Sequence, residues 1–66
     1  MLLGTVKWIN RVKGYGFINS TEGDIFFHYS NTESDFRTFE DGSKVQFEIC
    51  TGEKGPRALN VTKLVD

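Results

Sequence analysis

KGYGFI at residues 13–18 and DIFFHY at residues 24–29 are the two stretches that decide the fold. Both are rich in aromatic and β-branched residues, and a short glycine-containing turn joins them, which predicts a β-hairpin. Successive side chains of a strand point to opposite faces of the sheet. If Ile18, Ile25 and Phe27 face the core, four rings lie together on the outer face. These are Tyr15, Phe17, Phe26 and His28.

The outer rings suit unpaired nucleobases. They lie beside the basic Lys13, and Gly14 and Gly16 thin the strand between them, which would let a ligand approach. Every base has a face that stacks on an aromatic ring, and every nucleotide carries a phosphate. The competing interpretation is cross-strand aromatic packing that only stabilises the sheet. The pattern favours a surface for single-stranded nucleic acid.

Three further strands and one long loop are predicted around this hairpin. The strands cover residues 3–10, 44–51 and 57–64, and the loop covers residues 30–43, where no period of 2 or 3.6 is sustained. One helical turn, beginning with a capping serine, is predicted at residues 30–33. Short antiparallel strands hide their edges by closing into a small barrel. The fitting all-β fold is the five-stranded antiparallel oligonucleotide-binding barrel (OB-fold), which binds its ligands on strands 2 and 3.

Alternation in the C-terminal half predicts which side chains face inward. They are Val45, Phe47 and Ile49 in the fourth strand; in the fifth strand, Leu59 and Val61 are predicted to share one side. Within the long loop, Phe39 is predicted to anchor the chain to the core.

The length of 66 residues limits the chain to one small domain, expected over residues 1–66. A chain of this size buries only roughly 60% of its unfolded surface and is marginally stable. Cys50 is the single cysteine, which suits a reducing compartment. No signal peptide is visible, nor an apolar run of the ~20 residues that a membrane helix requires. We expect a cytoplasmic monomer with no membrane partner.

Charge is distributed unevenly along the chain. The net charge is −1, but residues 1–20 carry three basic side chains and no acidic one. Acidic residues collect later, and basic residues return near the C-terminus. This distribution predicts modest neutralisation of phosphates, with base stacking supplying most of the affinity for a nucleic acid.

Four motifs follow one another at fixed spacings: KWIN at residues 7–10, KGYGFI at 13–18, IFFHY at 25–29 and GPRALNV at 55–61. Together they closely resemble the bacterial cold-shock proteins, over nearly the whole chain. The resemblance implies a cold-shock domain with the oligonucleotide-binding barrel. The chain departs from the family's pattern where Ile9 replaces an aromatic residue, where Asn31-Thr32 replaces a small-plus-aliphatic pair, and before Phe36, where one residue is missing.

Strand parity and the resemblance together imply a nucleic-acid site of aromatic and polar side chains. The rings expected to stack on bases are Trp8, Tyr15, Phe17, Phe26, His28, Tyr29 and Phe36. The polar residues expected to contact phosphates or base edges are Lys7, Asn10, Lys13, Asp24, Lys54 and Arg57.

Trp8 and Tyr29 present a conflict between two lines of reasoning. Strict alternation turns Trp8 inward with Val6, and Tyr29 inward with Phe27. The family resemblance instead places both rings on the binding surface. The second arrangement requires a bend at each strand end, and barrel strands do bend, so we follow the resemblance.

The resemblance implies a protein that binds single-stranded RNA and single-stranded DNA with low sequence specificity. It would act as a nucleic-acid chaperone that prevents or melts RNA secondary structure, with effects on transcription and translation in cold adaptation. We expect no catalytic residue, metal site, cofactor or small-molecule substrate. His28 has neither a second histidine nor more than one cysteine to join it in metal binding or catalysis, so an enzyme is not expected.

Two alternatives stay open at this point. Residues 13–17 match the start of an RNA-recognition submotif, although Ser20 stands where that motif ends in an aromatic residue. A truncated RNA-recognition domain would need two helices behind its sheet, and the chain shows no helical period. The other alternative is a structural barrel whose aromatic residues grip a protein or an oligosaccharide.

Overall fold

Five β-strands and two single-turn 3-10 helices form residues 1–64, the part of the chain that this computed structural model describes. The strands are β1 (Leu2–Asn10), β2 (Tyr15–Ser20), β3 (Gly23–His28), β4 (Lys44–Gly52) and β5 (Gly55–Lys63). The 3-10 helices, Tyr29–Asn31 and Phe36–Thr38, lie in the long loop after β3. All five predicted strands are confirmed, and their ends differ from the predicted ones by at most two residues.

The strands close into a barrel in the order β1-β2-β3-β5-β4. Every neighbouring pair is antiparallel except β3 and β5, which run parallel and pair at Phe26 and Arg57. An odd number of strands in a closed ring cannot alternate in direction throughout, so at least one neighbouring pair must be parallel. The predicted small barrel is confirmed, with this single parallel pair as its one departure from the antiparallel pattern.

Helices are short wherever the structure describes the chain. Residues 1–64 contain no α-helix, and within them no helix is long and apolar enough to cross a membrane. An RNA-recognition domain needs two helices packed behind its sheet. That alternative is therefore wrong for the described residues.

Hydrophobic side chains from all five strands and from the long loop fill the barrel. The buried ones are Val6, Ile18, Ile25, Phe27, Phe39, Val45, Phe47, Ala58 and Val61. The inward faces predicted for β2 and β3 are confirmed, as is the anchoring role of Phe39, which is fully buried. Ile49 is partly buried against this core. Each fully buried large side chain contributes roughly 1.5–3 kcal/mol, so this interior holds the barrel together.

The prediction that Leu59 and Val61 share one side of β5 is wrong. Ala58 and Val61 are buried, whereas Leu59 is only partly buried. The register between β4 and β5 shifts at this point, and β5 accommodates one extra residue at Asn60, whose φ is +52°. Such a bulge interrupts the alternation of side chains, and asparagine tolerates the left-handed conformation better than most residues.

Candidate nucleic-acid interface

Register between β2 and β3 brings the four predicted rings together. Tyr15 pairs with His28, and Phe17 pairs with Phe26. All four side chains are half-buried, because each ring covers part of its neighbours. The ring centroids of Phe17 and Phe26 are 5.8 Å apart, and those of Tyr15 and Phe26 are 5.9 Å apart. The predicted division of the hairpin into a buried inner face and an outer face of rings is confirmed.

A bulge in β1 adds Trp8 to this group. Val6 pairs with Ile18 and Trp8 pairs with Phe17, so Lys7 is an extra residue in β1 without a counterpart in β2. The bulge reverses the alternation, and Trp8 turns outward, with its ring 5.2 Å from Phe17 and 37% exposed. Strict alternation was thus wrong for Trp8. We call Trp8, Tyr15, Phe17, Phe26 and His28 the outer aromatic surface.

The rings of the outer aromatic surface are tilted against one another. The planes of Phe17 and Phe26 meet at 76°, and those of Trp8 and Tyr15 meet at 78°. Only Tyr15 and Phe26 are nearly parallel, at 27°. A flat base lying on one ring would therefore meet its neighbour at an angle. The surface suits bases that are separated from one another rather than a continuous stack.

Tyr29 extends the rings beyond the end of β3. It begins the first 3-10 helix rather than continuing the strand, is 56% exposed, and its ring centroid lies 4.4 Å from that of His28. The inward orientation from strict alternation is therefore wrong for Tyr29 as well. Nδ1 of His28 accepts a hydrogen bond from the backbone N–H of Ser30 at 3.3 Å. Nδ1 also lies 2.9 Å from Oγ of Ser30, so Nε2 is the ring nitrogen with which His28 could contact a base.

Gly14 and Gly16 serve internal packing. Both are buried. A Cβ on Gly16 would lie 2.6 Å from the carbonyl oxygen of Trp8 and 2.9 Å from Cε1 of Phe27, and one on Gly14 would lie 2.6 Å from Cδ1 of Tyr29. The prediction that these glycines open the strand to a ligand is wrong. They let a core ring and a surface ring pack directly against the backbone of β2 and its preceding turn.

Phe36 lies apart from the outer aromatic surface. It is half-buried, with its ring centroid 5.9 Å from Phe27, 6.0 Å from Phe39 and 6.3 Å from Tyr29. Its ring therefore connects the core to Tyr29. Phe36, Tyr29 and Lys13 line a cleft that we call the second cleft, to distinguish it from the cleft beside the β4–β5 hairpin described below. Arg11 and the almost fully exposed Val12 also line this cleft, and the sequence reasoning did not select them.

Lys7 and Asp24, both predicted to contact nucleic acid, pair with each other. Nζ of Lys7 lies 2.7 Å from Oδ2 of Asp24, and the two side chains are 51% and 46% exposed. An ion pair this exposed contributes little to stability. It does hold both charged groups at the edge of the outer aromatic surface.

Asn10 has a structural task in the turn after β1. Its Oδ1 accepts hydrogen bonds from the backbone N–H groups of Val12 and Lys13, at 3.1 and 3.0 Å. This side chain closes the turn that carries Lys13. Its amide nitrogen is the part of Asn10 that a ligand can use, since the oxygen is already engaged.

Lys54 and Arg57 lie on the β4–β5 hairpin and border a cleft that we call the hairpin cleft. Phe17, Phe26 and Asp24 line its other side. Pairing positions Arg57, because it lies opposite Phe26 of β3 and opposite Cys50 of β4. The cleft therefore joins residues of β2 and β3 with residues of the β4–β5 hairpin, which are far apart in sequence. Pro56 also lines it and carried no signal in the sequence.

Asp35 and Arg37 form the other ion pair of the described residues, in the long loop. Nη2 of Arg37 lies 3.1 Å from Oδ2 of Asp35, and the backbone N–H of Arg37 donates to Oδ1 at 3.0 Å. Hydrogen bonds from the side chain and then the backbone of Arg37 lower the pKa of Asp35. Within residues 1–64, the histidine, cysteine and acidic side chains form no group that could hold a metal ion.

Comparisons with known proteins all indicate one family. Residues 2–64 match the family described as the 'Cold-shock' DNA-binding domain. The chain is 50% identical to the major cold shock protein of Streptococcus pyogenes serotype M6, with 97% of this chain and 98% of that protein aligned. It is also 50% identical to a cold shock-like protein of Listeria monocytogenes, with 97% and 100% aligned.

Among solved structures, Drosophila Unr CSD456 has the same fold, with a TM-score of 0.80 over 97% of this chain and 26% of that one. At 23% sequence identity, this likeness concerns the fold alone. The family match and the alignments to the two relatives at 50% identity each cover nearly the whole chain, and the barrel fold agrees with both. The chain belongs to the cold-shock domain family.

Proposed function

We propose that the protein binds single-stranded RNA and single-stranded DNA through the outer aromatic surface, with low sequence specificity. The observation that carries this proposal is a set of five tilted rings side by side on two strands and a bulge, four of them half-buried and Trp8 exposed. Stacking on such rings contributes roughly 1–3 kcal/mol per base and discriminates little among bases. Membership in a family described as DNA-binding supports the same conclusion.

Single strands suit this surface better than duplexes. Bases of a duplex are already stacked on one another, and the 76° between Phe17 and Phe26 does not match parallel bases. A strand on the surface would place its bases on separate rings and withdraw them from pairing elsewhere. We therefore propose that the protein acts as a nucleic-acid chaperone that prevents or melts RNA secondary structure. Effects on transcription and translation in the cold would follow from that activity.

Basic side chains supply the contacts to the backbone of the strand. Lys13 lines the second cleft beside Tyr29, and Lys54 and Arg57 line the hairpin cleft. Tyr29 and Phe36 offer further rings at the second cleft, and Asn10 and Asp24 offer polar atoms to base edges. We propose that a monomer in the cytoplasm binds one strand across these elements.

Fluorescence of Trp8, the single tryptophan, tests the proposal directly. Titration with hexathymidine is expected to quench it, because a base stacks on or beside its ring. Binding should weaken as salt rises, with a log–log slope near ~0.7 per phosphate neutralised. A duplex of the same length should bind far more weakly. Trp8 fluorescence that is insensitive to every single strand would instead favour a barrel that grips a protein or an oligosaccharide.

A further inference from the structure

The second half of β4 has an open edge. β4 pairs with β5 as far as Gly52, but β1 begins at Leu2, which pairs with Phe47. Among the described residues, no strand lies beside residues 48–52 on the side that β1 covers in the first half of β4. A strand edge of this kind presents backbone N–H and C=O groups that can pair with another chain.

Two hydrogen bonds show which backbone groups this edge presents. The carbonyl oxygen of Ser43 accepts a hydrogen bond from β1, and that of Lys44 accepts one from the residue after β5, each at 2.8 Å. In an antiparallel sheet, the groups of successive residues point alternately to the two neighbouring strands. β4 keeps this alternation, because the extra residue at its register shift, Asn60, belongs to β5. Ile49 and Thr51 therefore direct two N–H and two C=O groups to the open edge.

This segment lacks the features that keep most strand edges from pairing. Natural edges are protected by charged side chains, above all lysine, by proline or by bulges. Residues 48–52 read EICTG, with neither lysine nor proline, and their single charge, Glu48, lies at the end next to β1. The edge is therefore open to an extended segment of another chain.

We infer that a second copy of this chain pairs with this edge, antiparallel, about a twofold axis at Cys50. In that register Ile49 of each copy lies opposite Thr51 of the other, and four hydrogen bonds form between their backbone groups. Shifting the register by two residues in one direction would require Phe47, whose groups already pair with β1. Shifting it in the other direction would place Ile49 opposite Glu53, in the turn after β4.

Side chains along the edge are compatible with this pairing. Glu48 of one copy lies opposite Gly52 of the other, so like charges do not meet across the ladder. The two Cys50 residues form a non-hydrogen-bonded pair, in which Cα atoms lie about 4.5 Å apart. The outer aromatic surface belongs to β1, β2 and β3, so it takes no part in the contact.

The pairing is weak, because it joins only residues 48–52 of each copy. Specific interfaces bring together roughly 20–30 residues a side. The dimer therefore forms at high protein concentration, and the monomer remains the form that binds one strand under the proposed function. The inference does not depend on that function, since none of residues 48–52 is proposed to contact nucleic acid.

Cys50, the single cysteine, reports on the pairing. Thiols on the axis can form a disulfide, since a Cα separation of about 4.5 Å lies within the range that a disulfide spans. Hydrogen peroxide takes up the two electrons and two protons that two thiols release, and becomes two molecules of water. The reference is the double variant Cys50→Ser with Thr21→Cys, which carries an exposed thiol in the β2–β3 turn.

The rate of cross-linking is read on non-reducing gels and divided by the rate at which iodoacetamide alkylates the same thiol. With protein at about 0.1 mM, Cys50 is expected to cross-link on the order of tenfold faster than the reference, because paired thiols have an effective concentration near ~1 mM. Cross-linking at the reference rate would overturn the pairing.

Two further variants test the edge and the register. Thr51→Pro removes an N–H group that points to the open edge, leaves the β4–β5 ladder intact, and should lower cross-linking at Cys50 to the reference level. Cys50→Ser with Thr51→Cys moves the two thiols about 7 Å out of step along the ladder, and should cross-link no faster than the reference. Far-UV spectra verify the fold. Rapid cross-linking that persists in Thr51→Pro would place the contact elsewhere and overturn the assignment to β4.

A measurement without a disulfide keeps the inference testable if Thr51→Pro does not fold. In Cys50→Ser, the amide chemical shifts of Ile49 and Thr51 should change as the protein concentration is raised. That of Phe47, which already pairs with β1, is the control and should not change. Shifts that do not depend on concentration would overturn the pairing and leave the edge to a different chain. Neither measurement involves nucleic acid, so either result leaves the proposed function standing.

Discussion

The two faces of the β2–β3 hairpin use similar residues in opposite ways. On the inner face, Ile18, Ile25 and Phe27 are at most 1% exposed. On the outer face, Phe17 and Phe26 are also aromatic, yet they stay half-buried, with their rings against each other and against Trp8 and Tyr15. The inner face is packed by the rest of the barrel, while the outer face lacks a covering layer among the described residues. Position on the strand, rather than residue type, separates stability from the proposed binding.

The largest expected effect is on the inner face. Phe27→Ala removes a fully buried ring that contacts Phe36 and Phe39. We expect the free energy of unfolding to fall by about 3–5 kcal/mol, from lost burial and the remaining cavity. Urea denaturation measures it, and so small a domain could lose its fold altogether. A loss below about 1 kcal/mol would remove the contrast between the faces.

Gly16→Ala tests how closely the inner face packs against the backbone of β2. The added methyl would approach the carbonyl oxygen of Trp8 at 2.6 Å and the ring of Phe27 at 2.9 Å. We expect a loss of about 1–3 kcal/mol in the free energy of unfolding, because overpacking forces the backbone or the core ring to shift. Gly52→Ala is the matched control, since a Cβ there meets no atom within 4 Å. Equal losses in the two variants would mean that close packing at Gly16 is not the cause.

Phe26→Ala acts on the outer face. We expect it to weaken binding of hexathymidine by about 1–3 kcal/mol, the contribution of one stacked base, and to change the unfolding free energy much less than Phe27→Ala does. Trp8 fluorescence and urea denaturation measure the two quantities on the same samples. Equal destabilisation by both variants, with normal binding when folded, would contradict the division of the faces.

The smallest effect belongs to neither face. The folded state lowers the pKa of Asp35 through hydrogen bonds from Arg37, so its stabilising contribution is present above the pKa of the unfolded state, ~3.9. That contribution disappears as the pH falls through the lower folded value. Because the pair is exposed, unfolding measured from pH 7 down to pH 3 should differ only slightly between the protein and Asp35→Asn. A large difference would show that the loop contributes more to stability than its exposure suggests.

Much of the fold and part of the candidate site could be predicted from local pattern. Alternation predicted the two faces of β2 and β3, because neither strand contains an irregularity along the paired stretch. The predictions failed where strands bulge. Lys7 and Asn60 each shift a register, so Trp8 turns outward and Leu59 is displaced from the inner row.

Contacts between residues distant in sequence were not accessible to the same reasoning. Lys7 and Asp24 both carried a binding signal, but nothing in their order showed that they pair. Gly14 and Gly16 were visible as departures from strand preference. Their purpose depends on rings of other residues, which only the folded chain brings close.

Sequence by itself determined the number of strands, their positions along the chain and which rings of the β2–β3 hairpin are buried, because the period of a strand is a local property. Tertiary structure decided where the alternation breaks, which charges pair and how Phe36 packs, because closing five strands into a ring imposes registers that no single strand encodes. The hairpin cleft is the clearest case. Asp24, Phe26 and Arg57 are ordinary in sequence and lie in one cleft only because β3 and β5 meet to complete the barrel.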